Sequence, residues 1–172
     1  MVRYCTLTYR TDPQNSFQDD RGGGGLSGEA YDFRGFQHVS DLHRAPVTHL
    51  MFAHNDANRL IASSLDGRLS VYQLDAEPPG VVLTLAPQTG AGAGGGAGLS
   101  DFDISTSNEL VVSCARDGSL CLWQLSEGVL LRRIVVMAGG KQELLSCRFL
   151  PGNNNLVVCG NGAGGVQISR FS

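Results

Sequence analysis

Ser64-Leu65-Asp66-Gly67-Arg68-Leu69-Ser70-Val71-Tyr72-Gln73-Leu74 returns 51 residues later as Ala115-Arg116-Asp117-Gly118-Ser119-Leu120-Cys121-Leu122-Trp123-Gln124-Leu125. Asp-Gly between two apolar stretches is a tight-turn signal, because the glycine takes the left-handed backbone that other residues resist. The stretch after the turn alternates, Leu69 and Val71 on one face and Ser70 and Tyr72 on the other, which is the period of a strand. Working outward, Val47–Phe52 and Leu60–Leu65 predict two strands before the first turn, and Val81–Leu85, after Pro78-Pro79-Gly80, predicts one behind it. The same order follows in Leu99–Ile104, Val111–Ala115, Leu120–Leu125 and Leu130–Val136.

A third copy begins at Leu144–Phe149, continues through Leu156–Cys159 and reaches Val166–Ile168, with Leu120 and Val166 offset by 46. It stops before a fourth strand and shows neither the Asp-Gly turn nor the Trp. Helices are excluded, because Gly or Pro interrupts almost every window of sufficient length and the apolar period is near 2 rather than 3.6. The chain holds 23 glycines among 172 residues, about twice the usual ~7%, as expected of short strands joined by tight turns. Residues 1–30 combine Asp12-Pro13, Asp19-Asp20 and Gly22–Gly25 with few apolar residues, so they are expected to be a poorly ordered N-terminal segment. Residues 31–172 are expected to form the repeats.

A four-stranded unit of about 40–45 residues is the repeat length of WD-type propellers, and the residues resemble that family. Asp117-Gly118 leads to Leu122-Trp123-Gln124, Asp66-Gly67 leads to Val71-Tyr72-Gln73, and His43 precedes the first strand where a WD repeat carries its histidine. Departures are Leu42 for the glycine before that histidine, Tyr72 for Trp, Gln after both aromatics, and a glycine-filled loop, Gly90–Gly98, where the second histidine would stand. A second set is similar to one particular member of the family: Tyr31-Asp32-Phe33-Arg34-Gly35, Ser64-Leu65-Asp66-Gly67, Glu143-Leu144-Leu145-Ser146-Cys147 and Asn153-Asn154-Asn155-Leu156.

The resemblance implies an all-β fold of WD40-type propeller blades: two full four-stranded antiparallel blades and most of a third (about 43–85, 99–136 and 143–171), an open and incomplete propeller. Closed propellers take four to eight blades. The chain is therefore expected to be part of a longer protein, a short isoform or an incomplete gene product, and to self-associate when isolated. The resemblance also implies a buried hydrogen-bond chain in each blade, from turn Asp, loop His, strand Ser or Thr and strand Trp. His43, Ser63 or Ser64, Asp66 and Tyr72 would supply it in the first unit, and Ser113, Asp117 and Trp123, without a histidine, in the second. These residues are read as structural. Function is expected from a surface, in a nuclear regulatory protein that acts through other proteins, with the cytoplasm as the alternative compartment. Arg44, Arg68 and Arg116 are the candidate contacts, because exposed arginine is favoured at interfaces; plain solvation is the competing account of each.

No catalytic residue, cofactor or metal is expected. Gly90-x-Gly92-x-x-Gly95 and Gly160-x-Gly162-x-x-Gly165 match a dinucleotide pattern, but strands follow both where a helix is required. His38, His43, His49 and His54 crowd one stretch without a cysteine or acid at ligand spacing. Asp101 and Asp103 share one face of a strand, where an acid/base pair is conceivable and a solvated or loop-facing role is the simpler reading. An enzyme whose site lies outside this chain, and a non-functional truncated product, are the alternatives. The net charge of −3 and the scattered Lys and Arg give no electrostatic support for nucleic-acid binding, and no apolar run has the ~18 residues of a membrane span. Five cysteines, an odd number without a CxxC, are read as buried free thiols of a reducing compartment; Cys114 and Cys121, flanking one turn, are candidates for a cross-strand contact.

Overall fold

Every regular element among the described residues is a β-strand. The computed structural model describes residues 2–10, 30–39, 43–86, 97–136 and 142–171. Three antiparallel sheets follow one another along the chain. The first holds β3 (Val47–Ala53), β4 (Asp56–Ser64), β5 (Leu69–Gln73) and β6 (Gly80–Leu85) in that order. The second holds β7 (Leu99–Ile104), β8 (Leu110–Ala115), β9 (Ser119–Gln124) and β10 (Val129–Val135). The third holds β11 (Leu144–Leu150), β12 (Asn153–Asn161) and β13 (Val166–Arg170). Each is an up-and-down meander, as the strand pattern predicts.

The turns explain why the repeat survives sequence drift. Gly67 and Gly118 take φ of 82° and 81°, and Gly164 of the third copy takes 85°. Ala163-Gly164 therefore makes the turn that Asp-Gly makes elsewhere, because the left-handed residue is retained and only the acid is lost. Asn161 stands in for it: its Oδ1 accepts from the N–H of Ala163 (3.1 Å) and of Gly165 (2.7 Å). The second glycine-pattern match, Gly160 to Gly165, is thus a β12–β13 hairpin. The first lies outside the described residues, apart from Gly98.

Strand alternation divides the second sheet between two cores. Val111, Cys121 and Trp123 face the first sheet and pack with Ile61, Leu69, Val71 and Leu85. Val112, Cys114, Leu120 and Leu122 face the third sheet and pack with Leu144, Cys147, Phe149 and Val157. Trp123 and Phe102 are almost wholly buried, and burial of a side chain of that size contributes about 1.5–3 kcal/mol. The same alternation corrects the expected Cys114–Cys121 contact. Cys114 lies opposite Leu120 and Cys121 opposite Ser113, so the two thiols point to opposite faces.

Residues 2–10 depart from the expected disorder of 1–30. There, β1 (Val2–Arg10) pairs antiparallel with β2 (Ala30–Val39), from Val2 opposite Val39 to Arg10 opposite Ala30. The run Val-Arg-Tyr-Cys-Thr-Leu-Thr-Tyr is rich in β-branched and aromatic residues, whereas the Asp and Gly clusters behind it carry the opposite signal. Residues 11–29 lie outside those described. This hairpin is one compact unit, Met1–Asp41, and the three sheets are another, Leu42–Ser172. The repeats thus start at residue 42, not at 31.

Gly128, in the β9–β10 turn, joins turn geometry to packing between sheets. Its φ is +69°, and a Cβ there would lie 2.9 Å from Leu83 Cδ1 and 3.2 Å from Leu85 Cδ2 of the first sheet. Gly152 has φ +79° and open space around it. Gly152→Ala is expected to cost about 1–2 kcal/mol of unfolding free energy, the strain of a left-handed alanine. Gly128→Ala is expected to cost about 1 kcal/mol more, because Leu83 and Leu85 must also shift; urea unfolding of the two variants side by side reads the difference.

Candidate interaction face and the contacts that position it

One end of the sheets gathers the predicted contact residues. Asp66 organises the first turn through four acceptor contacts. Its Oδ2 accepts from the Arg44 N–H at 3.0 Å and its Oδ1 from the Arg68 N–H at 3.0 Å. His43 Nδ1 lies 3.2 Å from Oδ2 and 3.4 Å from Oδ1; a carboxylate only accepts, so this nitrogen carries the proton. Burial alone would raise the Asp66 pKa, but the Arg44 N–H, His43 and the Arg68 N–H outweigh it and hold the carboxyl below its ordinary value. Arg44 and Arg68 are bound by their backbone, and both side chains are exposed. Gly98 abuts this turn, since a Cβ on it would lie 3.0 Å from the Leu65 carbonyl oxygen. The Arg116 N–H donates to the Gly98 carbonyl at 3.0 Å. Arg116, also exposed, therefore sits one sheet further along the same end. Among the described residues, none of the three guanidinium groups has a carboxylate partner.

The expected hydrogen-bond chain is divided into separate pairs. In the first sheet His43 and Asp66 meet, while the Ser63 hydroxyl pairs with that of Thr48 at 2.8 Å and Ser64 Oγ donates to the Ala45 carbonyl at 3.0 Å. Tyr72 is buried at the position that Trp123 holds in the second sheet. There Trp123 Nε1 donates to Ser113 Oγ at 3.0 Å. Asp117 is engaged elsewhere, accepting from the Ser119 N–H (3.0 Å) and hydroxyl (2.6 Å) and pairing with Arg133 at 2.8 Å. With no histidine before β7, nothing among the described residues joins the Asp117 group to the Ser113–Trp123 pair.

The contacts that sequence reasoning missed lie between the first strands of neighbouring sheets. Asp101 Oδ2 accepts from the Cys147 N–H at 3.2 Å and from Arg148 Nη1 at 2.6 Å. Asp103 Oδ2 accepts from the Phe149 N–H at 2.8 Å. His49 Nδ1 of β3 lies 3.6 Å from Asp101 Oδ1, with its ring edge-on to Phe102 at 5.2 Å. The two carboxylates considered as an acid/base pair are buried staples from β7 to the backbone of β11. At the opposite end, the His54 N–H donates to Asn108 Oδ1 at 2.8 Å, and Asn108 Nδ2 donates to the His54 carbonyl at 2.6 Å. His43, His49 and His54 thus go to three separate places, and the side chain of His38 lies outside the described residues. Among those residues no three metal-ligating side chains converge.

Cys114, Cys121, Cys147 and Cys159 are free and buried. Burial, and the neighbouring Cys114, push the Cys147 thiol well up, and burial pushes Cys121 up to about 11. Thiols so protonated are poor nucleophiles.

Comparison with known proteins agrees with this geometry. Residues 91–124 match the family described as WD domain, G-beta repeat. WD repeat domain-containing protein 83 of Xenopus tropicalis is 36% identical over 70 residues, covering 41% of this chain and 21% of that protein. The chain thus spans about a fifth of the length of that curated relative. Among solved structures, the β-propeller domain of Myceliophteria thermophila Cps50 (Swd1) superposes with a TM-score of 0.59 at 16% identity, over 75% of this chain and 37% of that one; at that identity the likeness concerns the fold. The sheets are WD-type β-propeller blades.

The Asp66 contacts give a pH signature. A carboxyl held below its ordinary value in the folded state contributes stability that is complete above its unfolded pKa and is lost as pH falls through the folded one. Asp66→Asn is expected to lower stability at neutral pH, and its gap from the wild type to close as pH falls below 3.8, the unperturbed value. Urea unfolding across that range measures it; a gap independent of pH would contradict the contacts described.

Proposed function

We propose that the chain serves as a non-enzymatic protein–protein interaction scaffold of the WD-repeat type, within a nuclear regulatory protein similar to WD repeat-containing protein 13. WD-type propellers are in general non-catalytic scaffolds that bind other proteins, and the blades described above supply the scaffold. The observation that carries the reading is the rigid turn at Asp66, which fixes the backbone of Arg44 and Arg68 while both side chains remain in solvent. Arg116 extends the same end to the second blade. Arginine held on a stiff frame loses little conformational freedom on binding, which is what an interface residue needs. The lead-in Tyr31-Asp32-Phe33-Arg34-Gly35 and the triple asparagine Asn153–Asn155 support the closer resemblance and, with it, a nuclear location over a cytoplasmic one. The exposed Val166 and Ile168 on β13, at 78% and 65% exposure, support self-association of the isolated chain.

Affinity capture from nuclear extract with the 172-residue chain, beside the variant carrying Arg44→Glu, Arg68→Glu and Arg116→Glu, tests this reading. Partners held by the wild type and lost by the variant are expected. Capture of nothing, or of the same set by both, would overturn it. Light scattering of the same preparation should give a mass above the 18.2 kDa of one chain.

A further inference from the structure

The outer strands of the first two blades share an irregularity at equivalent places. Along β5 and β6 the partners run from Val71–Leu83 to Tyr72–Val81, leaving Val82 as an extra residue. Along β9 and β10 they run from Leu122–Arg132 to Trp123–Leu130, leaving Leu131. A bulge bends its strand and re-aims the extra side chain. Val82 is 59% exposed and Leu131 46%, and each lines a cleft on the side of the propeller, next to the following blade. The repeat thus places one apolar residue in each cleft through the same backbone device.

The two clefts differ in charge. In the first, of about 330 Å³, Arg59 is the lone charged residue, beside Val71, Val82, Leu83 and Leu125, and its side chain lies 3.6 Å from the Asp56 carboxylate. The second, of about 410 Å³, has a floor of Leu122, Leu131 and Phe171 and a rim of Arg132, Arg170 and Asn155, with no acidic residue in its lining. Arg170 is exposed and has no carboxylate partner among the described residues. The volume lies within the range of about 300–1,000 Å³ of sites that hold a compact ligand. β10 is also the outermost strand of its sheet, so its backbone edge runs beside the cleft and suits an extended segment.

We propose that the cleft between the second and third blades docks an extended acidic segment of a partner protein, with one large apolar side chain on Leu122, Leu131 and Phe171 and its carboxylates on Arg132 and Arg170. This rests on the scaffold reading and gives it a second surface, remote from the Asp66 turn. The first cleft, apolar and with its arginine beside Asp56, does not select for acid.

The test is fluorescence polarisation with the full chain and a short fluorescein-labelled peptide, a central Phe flanked on each side by Glu and Asp. Two control peptides replace the Phe by Ser or the acids by their amides. The acidic Phe peptide is expected to bind, each control to bind about tenfold more weakly, and Arg170→Glu and Leu131→Ser to weaken it by about tenfold. Both substitutions fall on exposed positions, and circular dichroism checks that the sheets are kept. Arg44→Glu with Arg68→Glu should leave peptide binding unchanged. No binding, equal binding of the Ser peptide, or binding insensitive to Arg170→Glu would overturn the cleft. If the chain still captures partners through the Arg44 end, the scaffold reading stands without it.

Discussion

A sheet that is apolar on both faces has to be covered on both, and the second blade is such a sheet. Its strands send Val111, Cys121 and Trp123 one way and Val112, Cys114 and Leu122 the other. Neither set can be buried within the blade, so the hydrophobic effect acts between blades. Everything else is arranged around that requirement. Gly128 lets the β9–β10 turn lie against Leu83 and Leu85. The His54–Asn108 pair fastens one end of the first two blades, and the contact of Gly98 with Leu65 closes the other.

Apolar stacking alone leaves the relative shift of two blades loosely defined, since it is non-directional. Asp101 and Asp103 supply the direction. Each is buried and accepts a backbone N–H from β11, two residues apart on either strand. A buried carboxylate without partners would cost several kcal/mol, so the pair penalises a slipped register. Arg148 meets the Asp101 charge at 2.6 Å. Burial works against the Arg148 charge, but Asp101 outweighs it and strengthens its hold on the proton. The same engagement explains why two neighbouring carboxylates carry no chemistry: their oxygens are committed to holding blades together.

What was legible in the chain was whatever depends on near neighbours. The Asp-Gly turns, the period-2 alternation and the two offsets located eleven strands and separated the blades. The Trp123–Ser113 bond and the His43–Asp66 pair follow from positions inside one repeat. Contacts set by the shift between blades were not legible, because no local pattern states which residue of β11 lies beside Asp101. The third turn was hidden by chemistry rather than distance: Ala163 replaced the acid while Gly164 kept the backbone. The strand at Val2–Arg10 was masked by the Gly and Asp clusters that follow it. The bulges at Val82 and Leu131 leave no trace in the alternation, since an extra residue in an apolar strand is itself apolar.

The central claim is that each blade is stable only through its neighbours. Native-state amide exchange of β8 and β9 in the Phe149→Ala chain tests it most directly. Phe149 belongs to the third blade, and its side chain packs in the core shared with Val112 and Leu122. If the blades are coupled, protection must fall in β8 and β9 as well as in β11–β13. Loss confined to β11–β13, with β8 and β9 exchanging as in the wild type, would contradict the account.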